Sequence, residues 1–533
     1  MKPYRLIFAL LLVTVLSGCR NLLELESENS VTNNYLYTSK DGLQHAIAGL
    51  YTYERDQIGS EPILYLLQMF DFSTDLLLYR SGTGTAAAEL DTMNPDNGAI
   101  ATYWTFQYAL IGRANEIIAA AVALGLDDPE IHAIYGEACI FRARAYFELW
   151  KRYERLYLNT QPTTENNLVR EYRPASTEEL FTLLKDDLDA AIEALDWQLP
   201  SYNGGVMYGR FTKAVAKHLR AQVAMWEEDW DTAIAQCEEV FTEGAAYYSL
   251  EKRVENVFSS ADFRSKEVLY AYQFSKNVGG GGTISGTTLT GHTINQFVTT
   301  EYRSITGCIC VSEYGGYGFG RDYPNSHLLK MYGPKDTRYD KLFIHEFCFT
   351  DPSSPKYGQV IPANETNNYT RYLHPMSVKH ADFYTNTDQP DRRSSFRDLI
   401  VYRLAETYLM CAEAYFHRDG GGSPQAIECF NATYARAGNT PFSGTLTLEE
   451  LLDEYARELH FEGVRWAQLK RLGLLASYCR QFAGDTREDN PNLEADHAAA
   501  RNNFVEGKHE KWPIPSNQLL LMGSTFPQTD VWQ

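Results

Sequence analysis

The sequence predicts a mainly α protein, a tetratricopeptide-like scaffold of helical pairs interrupted by one large irregular, loop-rich insertion. Three observations predict it. Apolar residues recur at spacings of three and four in segments before about residue 275 and again after about 393. One of these stretches contains two amphipathic runs joined by a capped Gly-rich turn, the pattern of a helical hairpin. Between about 276 and 392 the helical period disappears, and Gly and Tyr become prominent.

The hairpin runs from Leu399 to Gly438 and is read as two helices. Tyr402, Ala405, Leu409, Ala412 and Phe416 form one apolar row, flanked by Val401, Leu404, Tyr408, Cys411 and Tyr415. A stripe this wide needs partner helices on more than one side. The turn is Asp419-Gly420-Gly421-Gly422. Ser423 then stands at an N-cap and Pro424 at the first helical position, where a missing N–H costs nothing. Ile427, Phe430, Tyr434 and Ala437 line the second helix, and Gly438 ends it as a left-handed cap.

Taken in order, the chain opens with a targeting segment over 1–18. Lys2 and Arg5 precede an apolar run, Leu6 to Leu16, that is too short to span a bilayer. Leu16-Ser17-Gly18-Cys19 resembles a bacterial lipobox, which implies cleavage before Cys19 and lipid on that residue. A polar tether is expected over 19–36 and a single body over 37–533. Thr38-Ser39-Lys40-Asp41 opens the first helix. In the following run, Leu64 to Asp75, the carboxylates Asp71 and Asp75 fall four apart, hence on one helical face. Two readings stand for them: paired carboxylates for acid–base work or hydroxyl recognition, or a solvated face or helix cap. A loop follows over Ser81–Gly98.

Helix pairs are predicted within 103–153, 176–242, 399–438 and 448–475. Trp104, Tyr108, Ile111 and Asn115 share a face of the first. Ser176 with Glu179, and Thr447 with Glu450, are capping boxes. Glu462 and Arg465, three apart, have the spacing to pair, which would serve to fix helix register and not chemistry. The insertion carries the runs Gly279 to Gly282 and Gly315-Gly316-Tyr317-Gly318-Phe319-Gly320, both read as flexible. So long an irregular stretch in a helical protein is functional or else a packed, inert insertion.

Bulk properties narrow the function. The chain has 533 residues and a formal net charge of −21, which argues against nucleic acid and against anionic lipid. The 36 Tyr combine flat apolar faces with hydroxyls, a fit for polar ligands with apolar ring faces or simply for wet helix packing. The Gly-rich run at 281–288 lacks the Lys of a phosphate-binding loop, His345-Glu346 lacks a second zinc-binding His, and no Gly-x-Ser-x-Gly elbow occurs. No cofactor is expected. Calcium on the carboxylate-rich loop from Asp485 to Asp496 has no further support, and most Cys read as small core residues. Cys308 and Cys310 stand too close to bridge each other; a bridge from either to Cys348 stays open.

Several blocks carry a family resemblance. They are Leu404 to Ala414 with Ala426-Ile427, Asn431 and Ala435-Arg436-Ala437-Gly438; Gly136-Glu137-Ala138 with Arg142-Ala143 and Ala145-Tyr146-Phe147; Arg457 to Trp466; and Trp512-Pro513-Ile514-Pro515. Together they resemble the SusD/RagB family of outer-membrane nutrient-binding lipoproteins. The tail Phe526-Pro527-Gln528-Thr529-Asp530 departs from the family pattern. The resemblance implies a superhelix of helical pairs and a non-catalytic lipoprotein, anchored in the outer membrane and facing outward. Such a protein captures an oligosaccharide, or in some members a peptide, and delivers it to a SusC-like TonB-dependent transporter. It nominates Asp71, Asp75, Tyr79, Arg80 and Trp104, then Tyr314, Tyr317, Phe319 and Arg321, as ligand residues. Two other classes are weighed beside it: a surface glycoside hydrolase using Asp71 or Asp75, and a helical scaffold without a small ligand.

Overall fold

A computed structural model describes residues 33–69, 73–80, 90–169, 171–198, 201–202, 205–206, 209–259, 265–276, 282–285 and 288–533. The leader, Cys19, most of the tether and Asp71 lie outside the described residues.

A short helix, α1 (Asn33–Tyr37), already occupies the end of the stretch read as tether. The Ser39 hydroxyl accepts the Gly42 N–H at 3.1 Å and starts α2 (Lys40–Ser60). Helix α3 (Pro62–Met69) ends before the nominated carboxylates, so Asp75 stands in a turn and not on a helical face. Strand β1 (Leu77–Tyr79) follows. Asn97-Gly98 is a helix start: the Asn97 side chain accepts the N–H groups of Ala99 and Ile100 and opens α4 (Gly98–Leu124). Asp128 caps α5 (Pro129–Tyr153), with Pro129 in the first turn. The Ser176–Glu179 capping box is formed and opens α6 (Thr177–Ala194); α7 (Lys213–Trp226) and α8 (Trp230–Thr242) complete the first half.

Next come β2 (Val268–Tyr272), β3 (Asp322–Pro324) and β4 (Leu399–Arg403). β1 pairs antiparallel with β3 in the register Leu77↔Pro324, Leu78↔Tyr323, Tyr79↔Asp322. β4 pairs antiparallel with β2, and this corrects the hairpin reading: its first five residues are a strand. Leu-Ile-Val-Tyr-Arg is rich in strand-forming residues and is buried on both faces, so it shows no alternation and imitates a buried helix. The hairpin proper is α9 (Leu404–Asp419) and α10 (Pro424–Tyr434), capped by Ser423 as the sequence indicates. α11 (Leu448–Leu459) and α12 (Arg465–Arg471) close the scaffold. From α4 to α10 each helix packs on the next, so every pair covers its neighbour's apolar face.

Buried ion pairs tie the insertion to the C-terminal helices. Glu458 accepts from Arg338, Arg403 and Arg436, all within 2.5–2.8 Å. Glu462 does not pair with Arg465. It binds Lys379 at 2.6 Å and Arg403 at 2.5 Å. Phe461 and Gly463 both take positive φ, which breaks the helix between α11 and α12 and turns Glu462 and Arg465 in different directions. Burial opposes ionisation of Glu462, but Arg403 and Lys379 hold its carboxyl below the usual range.

Candidate ligand-binding face

The β1–β3 pair sets the geometry. Just beyond β1, the Arg80 N–H donates to the Arg321 carbonyl at 2.9 Å, and its Nε donates to the Gly320 carbonyl at 2.7 Å. The segment leading into β3 lies along the short helix Asn295–Val298. Phe319 N–H donates to the Gln296 carbonyl at 2.7 Å, Gly320 N–H to Thr299 at 2.9 Å, and Arg321 N–H to Phe297 at 2.9 Å. Gly318 permits this approach, because a Cβ there would run into the Thr299 carbonyl. Gly320 takes φ +61° beside the Tyr323 hydroxyl. These glycines serve close packing, which corrects the reading of the 315–320 run as flexible.

That packing leaves Tyr317 and Phe319 half-buried, their rings edge to face with centroids 5.4 Å apart. The Arg303 guanidinium stands 3.9 Å from the Tyr317 centroid and that of Arg393 5.1 Å. Arg321 lies 5.1 Å from the Phe297 ring and 5.7 Å from that of Phe319. Glu301 accepts from Arg371 at 2.5 Å and lies 3.3 Å from Arg303. Beneath them Asp322 is 1 % exposed, and neither carboxylate oxygen has a hydrogen-bond partner. Burial pushes its pKa up to about 8, against the pull of Arg321 and Arg80.

The structure thus brings Arg80, Tyr317, Phe319 and Arg321 together, with Tyr79 buried beside them, and places Asp75, Trp104 and Tyr314 elsewhere. Asp75 is 0 % exposed and forms a two-pronged pair with Arg465, Nε–Oδ1 2.9 Å and Nη2–Oδ2 2.5 Å, so it belongs to the core. Trp104 is 1 % exposed and packs edge-on to Tyr153 at 4.9 Å, also as core. Tyr79 is 7 % exposed in β1, opposite Asp322. Tyr314 stands behind the face: its ring contacts Tyr302 and Phe347, and its hydroxyl accepts the Cys348 N–H at 2.9 Å. Sequence reasoning missed Phe297, Glu301, Arg303, Arg371 and Arg393. Only their place inside or just beyond the insertion pointed to them.

Away from this face, a cavity of about 60 Å³ lies in the helical scaffold between Phe147, Trp226, Glu413, Tyr455 and Arg471. Among the described residues no group of three or more His, Cys, Asp or Glu is placed to hold a metal ion. In the loop proposed for calcium, the Asp485 carboxylate accepts from the Ser326 N–H and hydroxyl, and burial pushes its pKa up to about 6. Cys308, Cys310 and Cys348 are free thiols.

Residues 264–532 match the SusD family, and residues 22–224 match a second family described as starch-binding associating with outer membrane. This chain belongs to the SusD family. SusD-like protein P2 of Formosa agariphila is 25 % identical over 519 residues, spanning 93 % of this chain and 95 % of its own length. The starch-binding protein SusD of Bacteroides thetaiotaomicron is 29 % identical over 157 residues, 29 % of this chain and 26 % of that protein. Among solved structures, a SusD homologue from B. thetaiotaomicron superposes with TM-score 0.75 at 19 % identity, over 93 % of this chain and 98 % of its own. Surface glycan-binding protein A of the same species, in complex with laminarihexaose, gives 0.70 at 20 % identity over 92 % and 99 %. At these identities the superpositions establish the shared, mainly helical SusD fold.

Proposed function

We propose that this SusD-family protein captures an oligosaccharide on the Tyr317–Phe319 face and passes it to a SusC-like TonB-dependent transporter in the outer membrane. The observation that carries this reading is the pair of half-buried rings, Tyr317 and Phe319, set edge to face with the Arg303 and Arg393 guanidiniums lying over the Tyr317 ring. An aromatic face receives the C–H side of a sugar ring, and guanidinium N–H groups donate to its oxygens. Similar proteins support the ligand class. Their names describe laminarin binding, starch binding and a laminarihexaose complex. The protein is read as a binder: the names of similar proteins describe binding, and Asp75, one of the two carboxylates weighed for hydrolysis, is buried and committed to Arg465. Anchoring is assigned to lipid on Cys19. Among the described residues no helix is long and apolar enough to cross a membrane.

The test is a screen of purified protein, lacking its leader, against a panel of oligosaccharides, followed by titration of Tyr317→Ala. Loss of one stacking ring is expected to weaken binding by about 1–3 kcal/mol, taking base stacking as the guide. The melting temperature should hardly move. Early melting with normal affinity in the folded fraction would make Tyr317 a packing residue and remove the site.

A further inference from the structure

On the reading of the Tyr317 face as the glycan site, we propose that it selects an anionic glycan, one whose sugars carry carboxylates or sulfate esters. The argument is a charge inventory. Arg80, Arg303, Arg321, Arg371 and Arg393 are joined through shared contacts with Tyr317, Phe319 and Glu301 into one patch. Against them stand Glu301, shared between Arg303 and Arg371, Asp391, open to water, and Glu494, which accepts from the Thr370 N–H and hydroxyl beside Arg371. Asp388, at the edge, is taken by Lys276 at 2.8 Å. Asp322, next to Arg321 in β3, is buried with neither carboxylate oxygen hydrogen-bonded, and burial pushes its pKa up to about 8, which favours the neutral form.

Two of these cations stand uncompensated. Among the described residues Arg321 and Arg393 form no ion pair; they lie over aromatic rings instead. The Nε atoms of Arg303 and Arg321 are buried and have no hydrogen-bond acceptor. Those atoms are closed to a ligand, so recognition falls to the outer N–H groups, and a guanidinium presents a fork of donors matched to two oxygens of one acid group. A neutral sugar supplies hydroxyls, which accept such bonds singly. A uronate carboxylate or a sulfate ester supplies paired anionic oxygens, so the patch fits it better.

The patch also runs against the protein's own field. The chain carries a net −21, which repels a polyanion at long range. A five-arginine surface on such a body is therefore a local device, and general polyanion stickiness is disfavoured.

The experiment uses matched polymers in affinity gels and by titration. One pair is polygalacturonate and its fully methyl-esterified form; the other is a sulfated carrageenan and its desulfated form. Laminarihexaose is the neutral control. The expected result is at least tenfold tighter binding of the charged member of one pair, weakened by added salt. Which pair responds distinguishes carboxylate from sulfate. Arg321→Gln with Arg393→Gln should bring affinity down to the neutral level without shifting the melting temperature, and Lys at both positions should restore part of it. Should the double variant fold poorly, Arg393→Gln alone serves, since that side chain is exposed. Equal or better binding of the neutral members, or of laminarihexaose alone, overturns the charge preference and leaves glycan binding standing. Charged binding that survives in the arginine variants overturns it as well. Failure of every glycan overturns both readings.

Discussion

Asp75→Ala separates a structural carboxylate from a ligand-binding one. Asp75 and Arg465 are almost wholly buried and meet through two N–H···O contacts. The pair ties the turn after α3 to α12, and Asn325 Nδ2 also donates to the Asp75 carbonyl at 2.7 Å. Removing the carboxylate leaves the Arg465 guanidinium buried with the Leu452 carbonyl and Gln468 as its remaining partners. Losing one member of a buried pair costs about 3–5 kcal/mol. Unfolding entropy is roughly 2.1 cal/mol/K per residue, so a body of about 500 residues loses about 1 °C per kcal/mol, a fall of about 3–5 °C. Glycan affinity of the folded fraction should stay unchanged. Replacing both groups with apolar residues of similar size, Asp75→Leu with Arg465→Met, should cost much less than the two single changes added together. Scanning calorimetry and glycan titration of the four variants, Asp75→Ala, Asp75→Leu, Arg465→Met and the double change, measure this. A D75A protein that melts like the parent but has lost glycan would refute the core assignment and restore Asp75 to the site.

Three further outcomes follow from particular groups. Tyr408→Ala removes a ring stacked on Phe241 at 4.3 Å between α8 and α9 and should lower stability by about 1–3 kcal/mol with normal glycan affinity; a binding defect at unchanged stability would contradict this. Asp322 keeps its proton in the folded state to about pH 8 but titrates near 3.8 when unfolded, so its contribution is complete at acid pH and lost as pH rises through 8. The D322N variant should therefore gain stability over the parent progressively between pH 4 and pH 8, by up to about 6 kcal/mol at roughly 1.4 kcal/mol per pKa unit; parallel pH profiles would show that Asp322 is not held protonated. Cys19→Ala should leave unlipidated precursor that fractionates away from the outer membrane, and firm membrane retention of that variant would exclude the lipid anchor.

What the sequence made legible was local. Capping boxes at Ser176 and Thr447, and Ser423-Pro424 before α10, act within four residues and appear as read. Burial on both faces concealed β4, because a strand packed on either side loses its alternation. Glu462 and Arg465 have helical spacing, but the positive φ of Phe461 and Gly463 between them breaks the helix. Partners distant in sequence were not readable at all: Asp75 meets Arg465 across most of the chain, and Arg303 within the insertion and Arg393 just beyond it both reach Tyr317. Of the face, Tyr317, Phe319 and Arg321 were visible as rings and charge among glycines. The glycines themselves were misjudged, since absence of a side chain permits close packing as readily as it permits mobility.

Hydrogen–deuterium exchange of the protein, with and without a glycan that the screen identifies, tests the central claim most directly. The account predicts new protection over residues 296–303, 317–321 and 392–393, where the helix Asn295–Val298, the glycine run and Arg393 meet. Protection confined to the α9–α10 hairpin or to the cavity beside Trp226 and Tyr455, with residues 317–321 unchanged, would place the ligand on the helical scaffold and contradict it.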